Sequence, residues 1–335
     1  MGYIELNKKS FFNNLDYFSN ICGREKLSIA LKDNAYGHGI LEVASMCKEY
    51  GVEHTFVKNI KEANLIKKFD FKSILVLYDI PKKYNKNIII SINSIKDIKK
   101  IPKNSKVELK IDTGMNRNGI YKSQIDLALE LIEKYNLILN GVFTHFCCAD
   151  EDNGITLKQM KLFDNIVFDI KSKTDKNFRV HCANSHGVFK VDMKKYDLAR
   201  IGIGAYGYLD RDETRFLKPI LKLYAKKITT KKVKKDETIG YGSDAFIVKK
   251  DMIVSNYDIG YGDGFLRVGD IKQARVSTKN KKILGRVSMD SFTIESKKNK
   301  ICVFKNVNSL AKIHNTINYE ILTTLSPYLK RYIKG

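Results

Sequence analysis

Short apolar runs recur along the first part of the chain, each closed by polar or glycine-rich residues and followed by a stretch with helical spacing. The runs are Leu27–Leu31, His54–Val57, Ile74–Leu77, Ile88–Ser91, Val107–Ile111, Asn140–Thr144, Arg179–Ala183 and Asp197–Ile201. Between them lie amphipathic segments such as Leu41–Tyr50, Asp126–Tyr135 and Leu157–Lys171. Eight strand–helix alternations predict a (β/α)8 barrel, in which each strand is buried on both faces and each helix covers the outside. An open, doubly wound sheet has the same periodicity. Beyond about residue 220 the helical spacing gives way to strand-like stretches: Leu223–Thr230, Met252–Ile259, Gln273–Thr278, Lys282–Val287, Phe292–Glu295 and Ile301–Phe304. The expected architecture is therefore α/β, a TIM-like barrel over residues 9–220 and a second, mainly β domain over 221–335. Residues 1–8 are able to add a strand to that second domain. The tail, Tyr319–Ile333, reads as helical.

The chain is long enough for two domains, and its 43% hydrophobic content is ample for their cores. No apolar run has transmembrane length, and the opening MGYIELNKKSFFNNL lacks a basic-then-apolar leader. The expectation is a cytoplasmic protein without a membrane partner. Its six cysteines, Cys22, Cys47, Cys147, Cys148, Cys182 and Cys302, lack C-x-x-C spacing and read as free thiols. The net charge of +23 invites a nucleic-acid reading, but the basic residues are 50 Lys and only 10 Arg, spread over the whole chain. Readers of base edges lean on arginine. The charge is read as a solvated surface, with no nucleic-acid partner.

The polar residues at the strand ends are more informative. Lys32 closes the run LSIAL, and Asn34, Tyr36, Gly37, His38 and Gly39 follow it. A lysine at the end of a buried strand either snorkels out to water or has its pKa lowered by burial, giving the neutral amine that Schiff-base chemistry uses. Arg117 follows the fifth strand, His145 the sixth and Asn184 and Ser185 the seventh, while Arg200 ends the eighth. The carboxyl ends of barrel strands form the face on which such enzymes place their sites.

Several motifs admit more than one reading. IGIGAYG, residues 201–207, matches G-x-G-x-x-G, but no acid stands where a dinucleotide site would need one. A backbone cradle for one phosphate fits it, as does a tight turn without a ligand. HFCCAD, residues 145–150, has two vicinal cysteines that would point to opposite faces of a strand, and no second cluster completes four ligands, so no metal is expected. IGYGSDAF (239–246) and IGYGDGFLR (259–267) each set a tyrosine between glycines, where small neighbours expose the phenol to a ligand or the ring simply packs at a turn.

Taken in order, ALKDNAYGHG, LKIDTGMNRNGI, THFCCAD, HCANSHG, ARIGIGAYG, IGYGSDA, IGYGDGF, GRVSMDSF and NTINYEIL resemble the conserved segments of the alanine racemases, nearly from end to end. That resemblance implies a homodimeric isomerase that uses pyridoxal 5'-phosphate and supplies D-alanine for peptidoglycan. It implies that Lys32 holds the cofactor and acts as one base, with Tyr241 as the opposite base. Tyr36, Ser185, Gly202, Ile203 and Tyr319 would hold the phosphate, with Asn184 close by. Arg200 would face the pyridine nitrogen, and His145 would link it to Tyr241. Arg117 would lie near the substrate carboxylate, and Tyr261, Met289 and Asp290 would border the substrate pocket. Lys110 stands at the family's carbamylated-lysine position. Tyr241, Tyr261, Met289 and Asp290 would come from the partner subunit of a head-to-tail dimer.

The chemistry agrees with that assignment. Racemisation takes a proton from one face of a carbon and returns one to the other, which calls for two bases. An arginine at the ring nitrogen stays charged and does not hand over its proton, which restrains side reactions. The chain departs from the family pattern at Asp33 and His186, where small residues are usual. A racemase of broader range, acting on serine for example, is the alternative that these two positions leave open.

Overall fold

The computed structural model describes residues 1–209, 215–242, 245–267 and 275–335. It divides into two compact units. One comprises Met1–Phe11, Asn34–Glu42 and Lys218–Gly335, the other Phe12–Asp33 and Val43–Leu217.

The chain starts with β1 (Tyr3–Asn7), a strand of the first unit. The second unit contains β2 (Leu27–Ala30), β3 (His54–Val57), β4 (Ser73–Val76), β5 (Ile88–Ile92), β6 (Lys106–Lys110), β7 (Ile138–Phe143), β8 (Arg179–His181) and β9 (Ala199–Ile201). All neighbouring pairs are parallel, and β9 returns to pair with β2. The remaining seam, between β8 and β9, is bridged by two backbone bonds: Asp197 N–H to Val180 O at 2.8 Å and Arg200 N–H to Ala183 O at 2.9 Å. The result is an eight-stranded barrel, closed almost all the way round.

The strand sequences explain this arrangement. LSIA, HTFV, SILV and IIISI are buried at every position, as strands covered on both faces must be. Each fully buried Ile, Leu or Val contributes about 1.5–3 kcal/mol. Helices Ile40–Tyr50, Ile125–Lys134 and Ile155–Lys173 lie where the amphipathic spacing places them, to within two residues at each end. No helix among the described residues is long and apolar enough to cross a membrane.

In the first unit, β10 (Leu221–Val233) is the hub. It pairs antiparallel with β1 and with two strands further along, β13 (Met252–Tyr257) and β17 (Lys300–Phe304). Between them in sequence, β11 (Thr238–Ile239) and β12 (Phe246–Ile247) form a hairpin. The sheet continues from β13 through β16 (Phe292–Ile294) and β15 (Lys281–Leu284) to β14 (Arg275–Val276). Of the predicted strand Gln273–Thr278, residues 273 and 274 lie outside the described residues.

The tail departs from its reading. Only Asn318–Thr323 is helical. Pro327 cannot continue a helix, and the chain ends as β18 (Lys330–Lys334), running parallel to β1 with Tyr3 opposite Lys330.

Candidate active site

Lys32 follows directly on Leu31, at the carboxyl end of β2. The expected burial is not met: the lysine side chain keeps 29% of its exposure and sits at the rim, 3.9 Å from Asp33. The unusual charge at position 33 has its own partner, because Lys58 Nζ donates to Asp33 Oδ1 at 2.8 Å.

The next residues turn the wrong way. Asp33, Asn34, Ala35 and Tyr36 have φ of 52, 55, 53 and 49°, a left-handed helical turn built without glycine. Left-handed backbone costs L-residues about 1–2 kcal/mol each. Local bonds offset this. Gly39 N–H donates to Asn34 O at 3.0 Å, and Asn34 Oδ1 accepts from Ile40 N–H at 2.8 Å. Buried His38 meets the carbonyls of Ala35 and Tyr36 through Nδ1 at 3.0 and 2.9 Å, and burial pushes its pKa down to about 3. Arg331 Nη2 donates to Gly37 O at 2.9 Å. Gly37 itself is required, since a Cβ there would lie 1.9 Å from Leu322 O.

After β6 the chain makes a second fixed turn. Asp112 Oδ1 accepts from the N–H groups of Gly114, Met115 and Asn116 at 2.9, 3.0 and 3.1 Å. Ile120 N–H returns to Lys110 O at 2.7 Å. Arg117 stands exposed on this loop, and Asn118 accepts from Lys110 Nζ. Lys110 is 6% exposed. Burial, then the Arg117 and Arg200 cations, push its ammonium down to about 8.

Arg200, on β9, is the best-fixed group of the barrel interior. Nη1 donates to His181 Nδ1 and, at 3.2 Å, to His181 O; Nη2 donates to Thr144 O at 2.6 Å and Cys182 O at 3.2 Å. These bonds use both terminal nitrogens, and among the described residues Nε–H has no acceptor. Burial lowers the guanidinium to about 10. His145 is held neutral, near 3, by burial and by the positive charges of Arg200, Lys110, Arg117 and Lys32, which place all five at one end of the barrel.

The glycine-rich segment after β9 converges on one oxygen. Gly202 N–H and Gly204 N–H point at Ser185 Oγ, at 2.9 and 3.3 Å. Asn184 Oδ1 takes the N–H groups of His186 and Gly187 at 3.1 and 2.8 Å and so shapes the neighbouring turn. Backbone N–H groups gathered this way form an anion-binding concavity.

Comparison with known proteins agrees with this geometry. A model of the alanine racemase N-terminal domain matches residues 6–210, and one of the C-terminal domain matches residues 220–333. This chain belongs to the alanine racemase family. Curated alanine racemases from Campylobacter concisus and from a Nitratiruptor species are each 38% identical to it, over 99% of both chains. Among solved structures, the Bacillus anthracis alanine racemase with bound L-Ala-P is 27% identical, with a TM-score of 0.88 over 100% of this chain and 95% of that one. A Clostridium difficile alanine racemase is 25% identical, with a TM-score of 0.90 over 99% and 95%. Membership makes the protein an isomerase, an amino-acid racemase.

Within the β unit, Tyr36 and Tyr319 meet edge-on, their ring centroids 5.7 Å apart. Tyr261 and Met289 share a turn: Gly262 N–H donates to Met289 O at 2.8 Å, and Tyr261 N–H to Ser288 O at 3.1 Å. Tyr241, Tyr261 and Met289 are 70, 42 and 55% exposed, and Asp290 is exposed too. Of the motif around Tyr241, residues 243 and 244 lie outside the described residues.

Beside His145, expected to link Arg200 to Tyr241, stands a second histidine: Arg200 Nη1 donates to His181 Nδ1, and among the described residues it makes no bond to His145. One reading needs correction. The vicinal cysteines do not diverge, and Cys147 Sγ lies 3.2 Å from Cys148 Sγ. They stand beyond the end of β7, where the alternation of a pleated strand no longer applies. Sequence reading also missed His181, Glu108 and Arg179. Their signal was three titratable side chains inside strands that otherwise read as buried.

Proposed function

We propose that this chain interconverts L- and D-alanine with pyridoxal 5'-phosphate, supplying D-alanine for peptidoglycan, as a homodimer whose active site draws on both subunits. The observation that carries the reading is the buried Arg200 guanidinium, fixed at four acceptors with its Nε–H left to donate elsewhere. The residues fit the cofactor. Lys32 supplies an amine at the rim, Arg200 Nε–H a donor for the pyridine nitrogen, and Ser185 with Gly202 and Ile203 a cradle for the phosphate. When bound, the cofactor delocalises the electron pair left behind as the substrate's α-proton departs.

The protein's own groups do the rest. Lys32 removes and returns the proton on one face of the α-carbon. Tyr241 of the partner subunit does so on the other. Arg117, on its Asp112-braced loop, takes the substrate carboxylate, and the partner subunit's Tyr261, Met289 and Asp290 border the substrate. Arg200 keeps its charge at the ring nitrogen, so the ring draws electrons less strongly than one protonated by an acid. Lys110 takes up carbon dioxide as a carbamate, its amine attacking the carbon with loss of a proton. The local charge then changes from positive to negative amid Arg117, Arg200 and Lys32. The broader-range alternative is not favoured, since curated relatives that are 38% identical from end to end are named alanine racemases.

The test is reduction of the cofactor-loaded protein with borohydride, followed by peptide mapping. The label is expected on Lys32, and Lys32→Ala should lose the label together with all measurable racemisation. A label on another lysine would sink the assignment. A panel of L-amino acids scored for D-product then fixes the substrate, with alanine expected to lead.

A further inference from the structure

A connected chain of polar groups runs through the barrel interior behind Arg200. Glu108 on β6 and Arg179 on β8 are both in register with Gly141 on the strand between them. A Cβ at 141 would lie 2.8 Å from Glu108 Oε1 and 2.9 Å from Arg179 Cγ. Because Gly141 has none, the two side chains meet across β7, where Arg179 Nε donates to Glu108 Oε1. Asn140 Nδ2 donates to the same oxygen at 3.2 Å, and Arg179 Nη1 reaches Ser73 Oγ at 3.0 Å.

The other carboxylate oxygen, Oε2, faces His181 Nε2 at 2.9 Å, and both residues are fully buried. Burial by itself favours a neutral carboxyl, but the Arg179 cation and His181 hold Glu108 well below the usual carboxylate range. Burial also keeps the imidazole neutral, at about 4. A carboxylate only accepts hydrogen bonds, so the single imidazole proton sits on Nε2 and Nδ1 is left as an acceptor. Nδ1 is the atom to which Arg200 Nη1 donates. Phe143 fixes the ring plane, stacked on His181 at 5.0 Å and 4°, and the Arg200 guanidinium lies 5.1 Å from the same Phe143 ring.

We propose that Glu108 is a positioning residue for racemisation: it fixes the His181 tautomer, and through it the orientation of the Arg200 guanidinium. This rests on the reading that Arg200 serves the cofactor's ring nitrogen. Glutamine at 108 can present an amide N–H to His181 instead. The imidazole proton then moves to Nδ1 and confronts the N–H of Arg200, two donors with no acceptor between them.

The experiment is nitrogen NMR of ¹⁵N-histidine-labelled holoenzyme, with the His181 signals assigned by His181→Asn, alongside steady-state kinetics. Wild type should carry the His181 proton on Nε2. Glu108→Gln should shift it to Nδ1, retain the cofactor, and lower kcat about 10- to 100-fold, the worth of one hydrogen bond to a charged group, with KM little changed. Gly141→Ala, which keeps every polar group but closes the gap, should move the same signals and serves if Glu108→Gln does not fold. A wild-type proton on Nδ1, or His181 signals unmoved in the folded variants, overturns the proposal whether or not the protein racemises alanine. A shifted tautomer with unchanged kcat overturns the positioning role. A wild-type holoenzyme with the expected tautomer but no racemase activity would instead remove the function on which that role rests.

Discussion

The functional residues of the two units are held in different ways. In the barrel the side chains themselves are fixed: Arg200 by four bonds, Ser185 by two backbone N–H groups, Asp112 by three. In the β unit Tyr36 is buried against Tyr319, whereas around Tyr261 the backbone is fixed and the side chains are not covered. The turn carrying Tyr261 is pinned to Met289 O and Ser288 O, yet Tyr241, Tyr261 and Met289 project into solvent. Ordered backbone beneath exposed aromatic and thioether groups suits the second copy that the proposed function calls for. Under that proposal, holding the cofactor ring and moving the proton through Tyr241 are separable: the first rests on Lys32 and Arg200 of the barrel, the second on a partner.

The strongest way to break that division is Tyr241→Phe. Racemisation should fall by about 10²- to 10⁴-fold, the usual worth of a general base, with the cofactor still attached at Lys32. Both directions fall together, because the enantiomers have equal free energy. The asymmetry lies in α-deuterium exchange, expected to slow from L-alanine and persist from D-alanine. Equal loss of exchange from both would contradict two separate bases. Met289→Asp puts a charge on the exposed β-unit surface and should weaken the dimer by about tenfold or more. Specific activity would then drop on dilution while cofactor absorbance per chain stays constant; a fully active monomer in sedimentation would end the comparison.

Ser185→Ala tests the barrel side, with cofactor affinity expected to fall about tenfold and dimerisation unchanged, as read by equilibrium dialysis. The smallest effect concerns Lys110. Carbamate forms on the neutral amine, which at a pKa of about 8 makes up half the population at pH 8, against roughly one part in 300 for an ordinary lysine. The ¹³C signal of the carbamate should rise between pH 7 and 9 in labelled carbon dioxide, and Lys110→Ala should abolish it with a severalfold change in KM.

The barrel was legible in the sequence because buried parallel strands are continuous apolar runs, and β3 spans the predicted His54–Val57 without change. Lys32, His145 and Asn184 were legible for the same reason, since each is the first polar residue after such a run, whereas Arg117 and Ser185 lie further along and Arg200 lies inside one. Where structure depended on distant partners, reading failed. β18 pairs with β1 at the other end of the chain, and nothing local in YLKRYIK announces that neighbour. The left-handed turn after Lys32 contains Asp, Asn, Ala and Tyr, of which only the first two favour that conformation. Glu108 and Arg179 come together because Gly141 stands between them in register, and register across three strands is not a property of any one of them.

The left-handed turn also has a consequence for the order in which the molecule can be completed. Chains emerge from the ribosome amino end first. The residues after Lys32 are made early, whereas Arg331, which donates to Gly37 O, lies 294 residues further along the chain. Leu322, which leaves room at 37 only for glycine, is also late. A nascent chain that has already formed most of its barrel therefore still lacks the clamp on that turn. The segment that follows Lys32 gains this support only once Arg331 has been made, long after the barrel strands, and a chain truncated before Arg331 would be made without it.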